Sequence, residues 1–500
     1  MTVRIDLMPV APASLGPAMS AARRRTPGVP ARESLDATVA RGFAKDGQEA
    51  LARGALVVTT GQQPGLLGGP LYGLYKGLAA AALAGRLEEQ LGERVVPVFW
   101  VAGDDHDFQE ANHVAIVSTE HELLDLVLRE RPHGAAQLPL ARELVGPEID
   151  AVLASLASAT PETEFKRDIL STLKRCYSAD VSLADAYAEW MAELLSGAGV
   201  VIYRAHAATA KAVVRPLLLR ALEQGVHRLA IEGPVPTPRD ATLVMVDGAL
   251  GRDRLVEDGG AFHARRSGEH WRLQELDVLA REAPERLSPN VLLRPVVESY
   301  VWRSVAYVAG PGELAYLPQA QPIYAALDVE RQPPVARFGA RLVEGRVERV
   351  LVRLGLDPED LSGPAGALES ELARDQLPPE TSAALESLRR ALETGYPRLA
   401  AAAEGVDATM RRPVESALGS ALANLADLEK RIVAHLKRRN ETLVRQIEKA
   451  RVSLFPRGQP QERVLTWPMF GIRYGNALLD DLESAARAWA DGLPLDGPEA

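Results

Sequence analysis

The chain carries one cysteine, Cys176, in 500 residues. An internal disulfide is therefore impossible, and a zinc site built on several cysteine ligands is excluded. Cys176 lies on a helical-looking stretch and reads as a small buried hydrophobe. No apolar run is long enough to span a membrane, and the polar, proline-broken start over residues 1–30 holds no secretory hydrophobic region. These absences lead to the expectation of a cytoplasmic protein with no membrane partner. Positive charge is in deficit as well: 57 Lys and Arg against 67 Asp and Glu leave a formal net charge of -10. Such a chain is repelled by a phosphate backbone, so no nucleic-acid partner is expected.

What is present is ordinary globular material, 47% hydrophobic and 25% charged, in a length that calls for more than one structural unit. Residues 55–59 form a short β-branched run, 61–70 are glycine- and proline-rich turn material, and 71–90 read as a helix. Pro70 suits the first helical turn, because proline lacks an N–H that would be unpaired there. Residues 95–102 form a second, almost wholly apolar run, as expected of a strand covered on both faces. The order β-α-β implies parallel strands with a right-handed crossover and a binding crevice at the strand carboxyl ends. A third strand is expected at 304–309, others at 200–203 and 241–246, and a hairpin or meander over 254–271.

Beyond Pro333 and Pro334 the composition turns to amphipathic helix. Leu418, Leu422, Leu425, Leu428, Ile432, Leu436, Asn440, Leu443 and Ile447 recur at steps of three and four. They predict one helix over about 414–454, roughly 60 Å long at 1.5 Å per residue. Its apolar stripe needs a partner, which either residues 342–354, the segment near 385–392 or a second subunit can supply. Residues 464–489 are apolar enough to return to the core.

Three clusters can carry chemistry. The first is Gly61, Gln62, Gln63 and Gly65 with Tyr72 and Lys76 at the helix start, where unpaired N–H groups and a partial positive charge suit phosphate or carboxylate. It matches neither common nucleotide-binding glycine pattern, and a plain strand-to-helix turn reads the same way. The second runs from Gly103 to His113 directly after the apolar strand. Asp104, Asp105 and Asp107 repel one another unless a cation, a bound amine or a protonated group sits among them, and they should favour the charged form of His106. Acid–base work is one role for this cluster and Mg²⁺ ligation is another, but no residue is assigned to metal. The third is Asn290 and Arg294, then Gly310, Gly312, Glu313 and Tyr316 after the third strand. Here Arg294 can pair with a carboxylate or phosphate or form a surface ion pair, and Glu313 can hold an amine or a sugar hydroxyl.

The stretches TGQQPGLLGGPLYGLYK (60–76), PVFWVAGDDHDFQEANHV (97–114) and SPNVLLRPVVESYVWRSVAYVAGPGELAY (288–316) resemble, in this order, those of the cysteine-adding enzyme family of bacillithiol biosynthesis. The terminal VLTWPMFGIRYGNALLDDL agrees too. The resemblance implies an α/β fold: a Rossmann-type parallel sheet core with two connecting insertions, related in architecture to class I aminoacyl-tRNA synthetases, plus a helical coiled-coil domain that makes a homodimer. On that pattern the first part of the core spans 1–145, a helical insertion 146–198, the continued core 199–335 with a second insertion near 250–285, the coiled-coil domain 336–456, and the returning segment 457–500.

The implied reaction joins L-cysteine to the amino group of glucosaminyl-malate. By analogy with the cysteine ligase of mycothiol synthesis, ATP or another nucleotide would first activate the cysteine carboxylate. From their position at the crevice, catalysis is then assigned to His106, Asp104, Asp105 and Lys76. On the same ground substrate contacts are expected from Asp107, Trp100, Asn290, Arg294, Glu313 and Tyr316. Nucleotide contacts fall to Gly61, Gln62, Gln63, Gly65, Tyr72, Gly310 and Gly312. The mycothiol ligase holds cysteine through zinc, whereas no zinc is expected here. A nucleotide-sugar glycosyltransferase-like enzyme and a non-enzymatic coiled-coil adaptor are the rival readings.

Overall fold

The computed structural model describes residues 3–25, 30–229, 232–238, 240–439 and 441–495. One compact unit comprises Met1–Val343 with Pro460–Ala500, and a second comprises Glu344–Gln459.

The first unit is built on a six-stranded sheet. Its strands are β1 (Thr38–Val39), β2 (Leu56–Gln62), β3 (Val95–Val101), β4 (Val201–Arg204), β5 (Ala306–Ala309) and β6 (Pro334–Ala336), in the spatial order β6-β5-β2-β3-β4-β1. All neighbours are parallel except the edge pair β1 and β4. β3 is buried along its whole length, which explains its unbroken apolar sequence. The crossover from β2 to β3 is helix α1 (Leu71–Leu91), so the β-α-β reading holds, with Pro70 falling one residue before the helix. Gly68 in the preceding turn has φ +93°, and a Cβ there would lie 2.7 Å from Trp190 Nε1, so both backbone and packing demand glycine.

Two insertions interrupt the sheet. Between β3 and β4 lie the hairpin His113–Val117/Leu123–Val127 and the helices Ile149–Ala159, Lys166–Cys176 and Leu183–Leu194. Cys176 packs inside, and burial pushes its thiol up to about 11. Between β4 and β5 an antiparallel sheet is formed by Ala241–Gly248, Gly251–Asp258, Ala261–Ala264, His270–Trp271 and Leu287–Pro289. It shares a hydrophobic core with the main sheet through helix Ala208–Glu223. The terminal stretch does return to this unit, burying Leu465, Trp467, Met469, Phe470 and Ile472. Among the described residues no helix is long and apolar enough to cross a membrane.

Where a helix is expected over 414–454, the described residues are helical, Arg411–Arg439 and Glu441–Leu454, and Asn440 lies outside the described residues. The first of these packs antiparallel on Pro379–Glu404, with Arg389 bonded to Glu429 at 3.0 Å and Arg411 to Glu404 at 3.0 Å. Helix Pro379–Glu404, which holds the segment near 385–392, thus lies beside Arg411–Arg439, and Arg353 of the segment 342–354 bonds Gln446 further along the stripe. Leu425 is buried, Val433 packs in a small core with Ala373 and Leu377, and Leu388, Leu399 and Leu428 remain exposed.

Candidate active site

After β2 the chain passes to β3 on one side, and β5 later docks on the other. β2 and β5 therefore flank the point where the winding reverses, and a crevice opens there beyond the carboxyl ends. A cavity of about 320 Å³ occupies it, within the range of small-molecule sites. Its wall brings together Gly61, Gln62, Gln63, Tyr72 and Lys76 from the first cluster, and Trp100, Asp104 and Asp105 from the second. Asn290, Arg294, Gly310, Gly312, Glu313 and Tyr316 of the third complete it. Three of the expected site residues stand outside this wall: Gly65, His106 and Asp107.

At the centre is a buried ion network. Lys76 Nζ donates to Gly61 O at 2.8 Å, to Gln62 Oε1 at 3.1 Å and to Glu313 Oε2 at 2.5 Å, which engages all three of its N–H bonds. Burial disfavours the lysine charge and lowers its pKa, against the pull of Glu313. Glu313 also accepts from Gly310 N at 2.8 Å and from the Tyr307 hydroxyl. Burial opposes its charge, but Lys76 and Arg294 outweigh it and hold the carboxyl below its ordinary range. Arg294 donates to Glu298 at 2.8 Å and to the hydroxyls of Tyr307 and Tyr316, each at 3.0 Å. Both Glu313 and Arg294 are thus engaged by the protein itself and shape the wall of the cavity.

One of the aspartates in the acidic loop meets a cation of the protein itself. Lys211, 1% exposed, reaches up from helix Ala208–Glu223 and forms an ion pair with Asp104. Asp105 Oδ1 accepts from the backbone of His106 at 2.7 Å and of Asp107 at 3.1 Å, and Asp107 caps the short helix Phe108–Ala111 through Glu110 N at 3.0 Å. Asp107 therefore shapes the loop. Gly65 is a turn residue whose carbonyl accepts from Tyr177 at 3.0 Å. Among the described residues no group of three His, Cys, Asp or Glu side chains converges as a metal cluster.

His106 overturns the expectation of a charged imidazole. Burial and then Arg252 lower its pKa, outweighing Asp105, and Arg266 and Arg131 act in the same direction. Arg252 Nη1 lies 3.4 Å from His106 Nδ1, which makes that nitrogen the acceptor of a neutral ring. Arg252 also donates to Ser288 Oγ at 3.1 Å and to Pro289 O at 2.8 Å, and it lines the cavity.

Sequence reading passed over Arg252, Arg337 and Arg463, all in the wall, because each stands alone in its segment. Arg337 is 2% exposed and pairs in a fork with Glu462, at 2.9 and 2.6 Å. Arg337 and Arg463 each lie 6.0 Å from the centroid of the Tyr72 ring. All three adjoin residues that the sequence did flag, Arg252 beside His106 and the other two beside Tyr72.

Behind Arg294, Glu298 is fully buried, and burial raises its carboxyl from 4.5 to about 7 against the opposing charge of Arg294. A raised folded-state value means that the protonated form supports the fold. Its contribution is present below pH 4.5 and is lost as pH rises through about 7. Urea unfolding of Glu298→Gln is accordingly expected to show a shallower fall in stability across that window than the parent chain.

Comparison with known proteins adds a family to this geometry. A family model described as bacillithiol biosynthesis BshC, N-terminal Rossmann-like domain, matches residues 39–338, and one described as bacillithiol biosynthesis BshC, C-terminal coiled-coil domain, matches residues 340–488. A protein of Salinibacter ruber named "Putative cysteine ligase BshC" is 32% identical over 455 residues, covering 87% of this chain and 81% of its own length. Proteins of the same name from Symbiobacterium thermophilum and Koribacter versatilis are each 30% identical. The alignments cover 88% of this chain in both cases, and 82% and 83% of the relatives. The chain belongs to the bacillithiol biosynthesis BshC family.

Proposed function

We propose that this chain is a ligase that joins L-cysteine to the amino group of glucosaminyl-malate, the last step of bacillithiol formation, after nucleotide-dependent activation of the cysteine carboxylate. The observation that carries the reading is the meeting of the three clusters around one cavity at the reversal point of the sheet. The relatives' name, cysteine ligase, supports it.

An unactivated carboxylate resists attack by amines. In the proposed sequence its oxygen displaces a phosphate-bearing leaving group from ATP, giving an acyl-adenylate with pyrophosphate or an acyl-phosphate with ADP. The sugar nitrogen then attacks the acyl carbon, the phosphate-linked oxygen leaves, and the amine gives up a proton. Asp104 and Asp105 line the cavity as the acids that hold an ammonium and receive that proton. The Lys76–Glu313 pair and the turn at Gly61–Gln63 form the wall against which the activated carboxylate rests, so catalysis relies on position and a preset field. His106 acts through Arg252, as a neutral acceptor that orients the guanidinium. Mg²⁺ would enter on the nucleotide phosphates, since such ions keep few protein ligands. The same reading expects a homodimer through the helical unit and a cytoplasmic enzyme.

The test is to incubate the purified protein with glucosaminyl-malate, L-cysteine and ATP and to follow thiol product and nucleotide by mass spectrometry. Product with AMP supports the adenylate route and product with ADP the acyl-phosphate route. Absence of any amide product refutes the ligase. In the same assay His106→Ala is expected to lower turnover by roughly a hundredfold, the scale of a misplaced charge contact.

A further inference from the structure

We infer that Arg337, Arg463 and Tyr72 form a seat for a multiply charged oxyanion, either a phosphate chain or a dicarboxylate, at the Tyr72 end of the cavity.

Four observations meet there. Arg337 is 2% exposed and lines the cavity. Its two terminal nitrogens are taken by Glu462 and the Phe338 carbonyl, yet its Nε is buried with no hydrogen-bond partner. A buried guanidinium N–H left unpaired is costly unless a ligand meets it.

Beside that nitrogen, Gly310 carries no side chain, and a Cβ there would make ordinary contacts, 3.5 Å from Glu313 Oε2, 3.7 Å from Lys76 Cε and 3.8 Å from Arg337 Nε. Its φ of -83° is one that any residue adopts, so the glycine is not needed for the backbone.

A second cation completes the seat. Arg463 lines the same cavity and, among the described residues, no carboxylate lies within salt-bridge distance of it. Both guanidiniums lie 6.0 Å from the centroid of the Tyr72 ring. Its hydroxyl oxygen accepts from Gln62 Nε2 at 3.0 Å, which leaves the O–H to donate, and burial raises its pKa to about 12, so the proton is retained. Glu110 is the acid whose charge Arg463 and Tyr72 feel from outside that distance, and it gives the seat a negative rim. An N–H, a guanidinium and an O–H with one excess positive charge suit an oxyanion and repel an ammonium.

The inference deepens the ligase reading and rests on it for the choice of ligands, since both ATP and glucosaminyl-malate bring such an anion. The experiment does not need turnover. Full-length protein is titrated calorimetrically at fixed ionic strength with inorganic pyrophosphate and, separately, with L-malate. The parent chain is expected to bind at least one of them. Arg463→Gln and Gly310→Ala, which leave the buried Arg337–Glu462 pair intact, are expected to weaken that binding by about tenfold or more, the worth of one charged hydrogen bond. Glu110→Gln is expected to tighten it. Loss confined to pyrophosphate identifies a phosphate seat, and loss confined to malate a dicarboxylate seat. The inference is overturned if the parent binds neither anion, or if both weakening variants bind within twofold of the parent while their melting temperatures are unchanged. An inactive protein that still shows these binding losses would remove the ligase reading and leave the seat standing.

Discussion

Asp104→Asn is expected to lose about 3–5 kcal/mol of stability, the cost of leaving one buried charge without its partner. Lys211 is 1% exposed and Asp104 is its ion-pair partner, so the neutral amide strands an ammonium in the core. Burial already disfavours that ammonium and lowers its pKa, and Asp104 is the first group that opposes the effect. The double variant Asp104→Asn with Lys211→Met removes both charges and is expected to recover most of the lost stability, because buried pairs are often replaceable by apolar groups of similar size. Amide formation should behave differently. If Asp104 receives the amine's proton, the single and double variants are both impaired by roughly two orders of magnitude. Urea unfolding with product assays on the three proteins separates the two roles. Recovery of activity along with stability would reduce Asp104 to a packing group.

The second large effect is expected at Arg294. Lysine keeps the charge but cannot reproduce a planar fork that reaches Glu298, Tyr307 and Tyr316 at 2.8, 3.0 and 3.0 Å. Arg294→Lys should lose at least one charge-assisted bond, and roughly 3 kcal/mol with it. Glu298 would keep its burial and lose the guanidinium bond that reaches it at 2.8 Å. Glu313 and Tyr316 in the cavity wall would shift with the loss of their common donor. A displacement near 1 Å at such a wall costs on the order of a hundredfold in rate. Denaturant midpoints and kcat on the purified variant check both parts. A variant with unchanged midpoint would mean that solvent or Lys76 replaces the fork without penalty.

The sheet was legible where burial leaves a mark on neighbouring residues. β3 is apolar on both faces because both are covered, and the turn after β2 has to be glycine-rich where Gly68 meets Trp190. Strand ends then locate the crevice, so most of its wall could be named from local patterns. What local patterns do not carry is the partner brought from a distance. The cation among the aspartates is Lys211, 107 residues from Asp104, on a helix whose sequence contains nothing to single it out. The sign of the shift at His106 was misread for the same reason, since the neighbours in sequence are acids while Arg252, Arg266 and Arg131 converge only in the fold. Arg337 and Arg463 come from a strand edge and from the returning C-terminal stretch, and neither belongs to a motif. Periodicity found the apolar stripe of the second unit but could not say that helix Pro379–Glu404 of the same chain packs beside it.

Crystals of the protein soaked with glucosaminyl-malate provide the most direct measurement. The account predicts difference density between the carboxyl ends of β2 and β5, with the sugar amine beside Asp104 and Asp105. Density for the sugar at any other surface, with this crevice still filled by water, would contradict it.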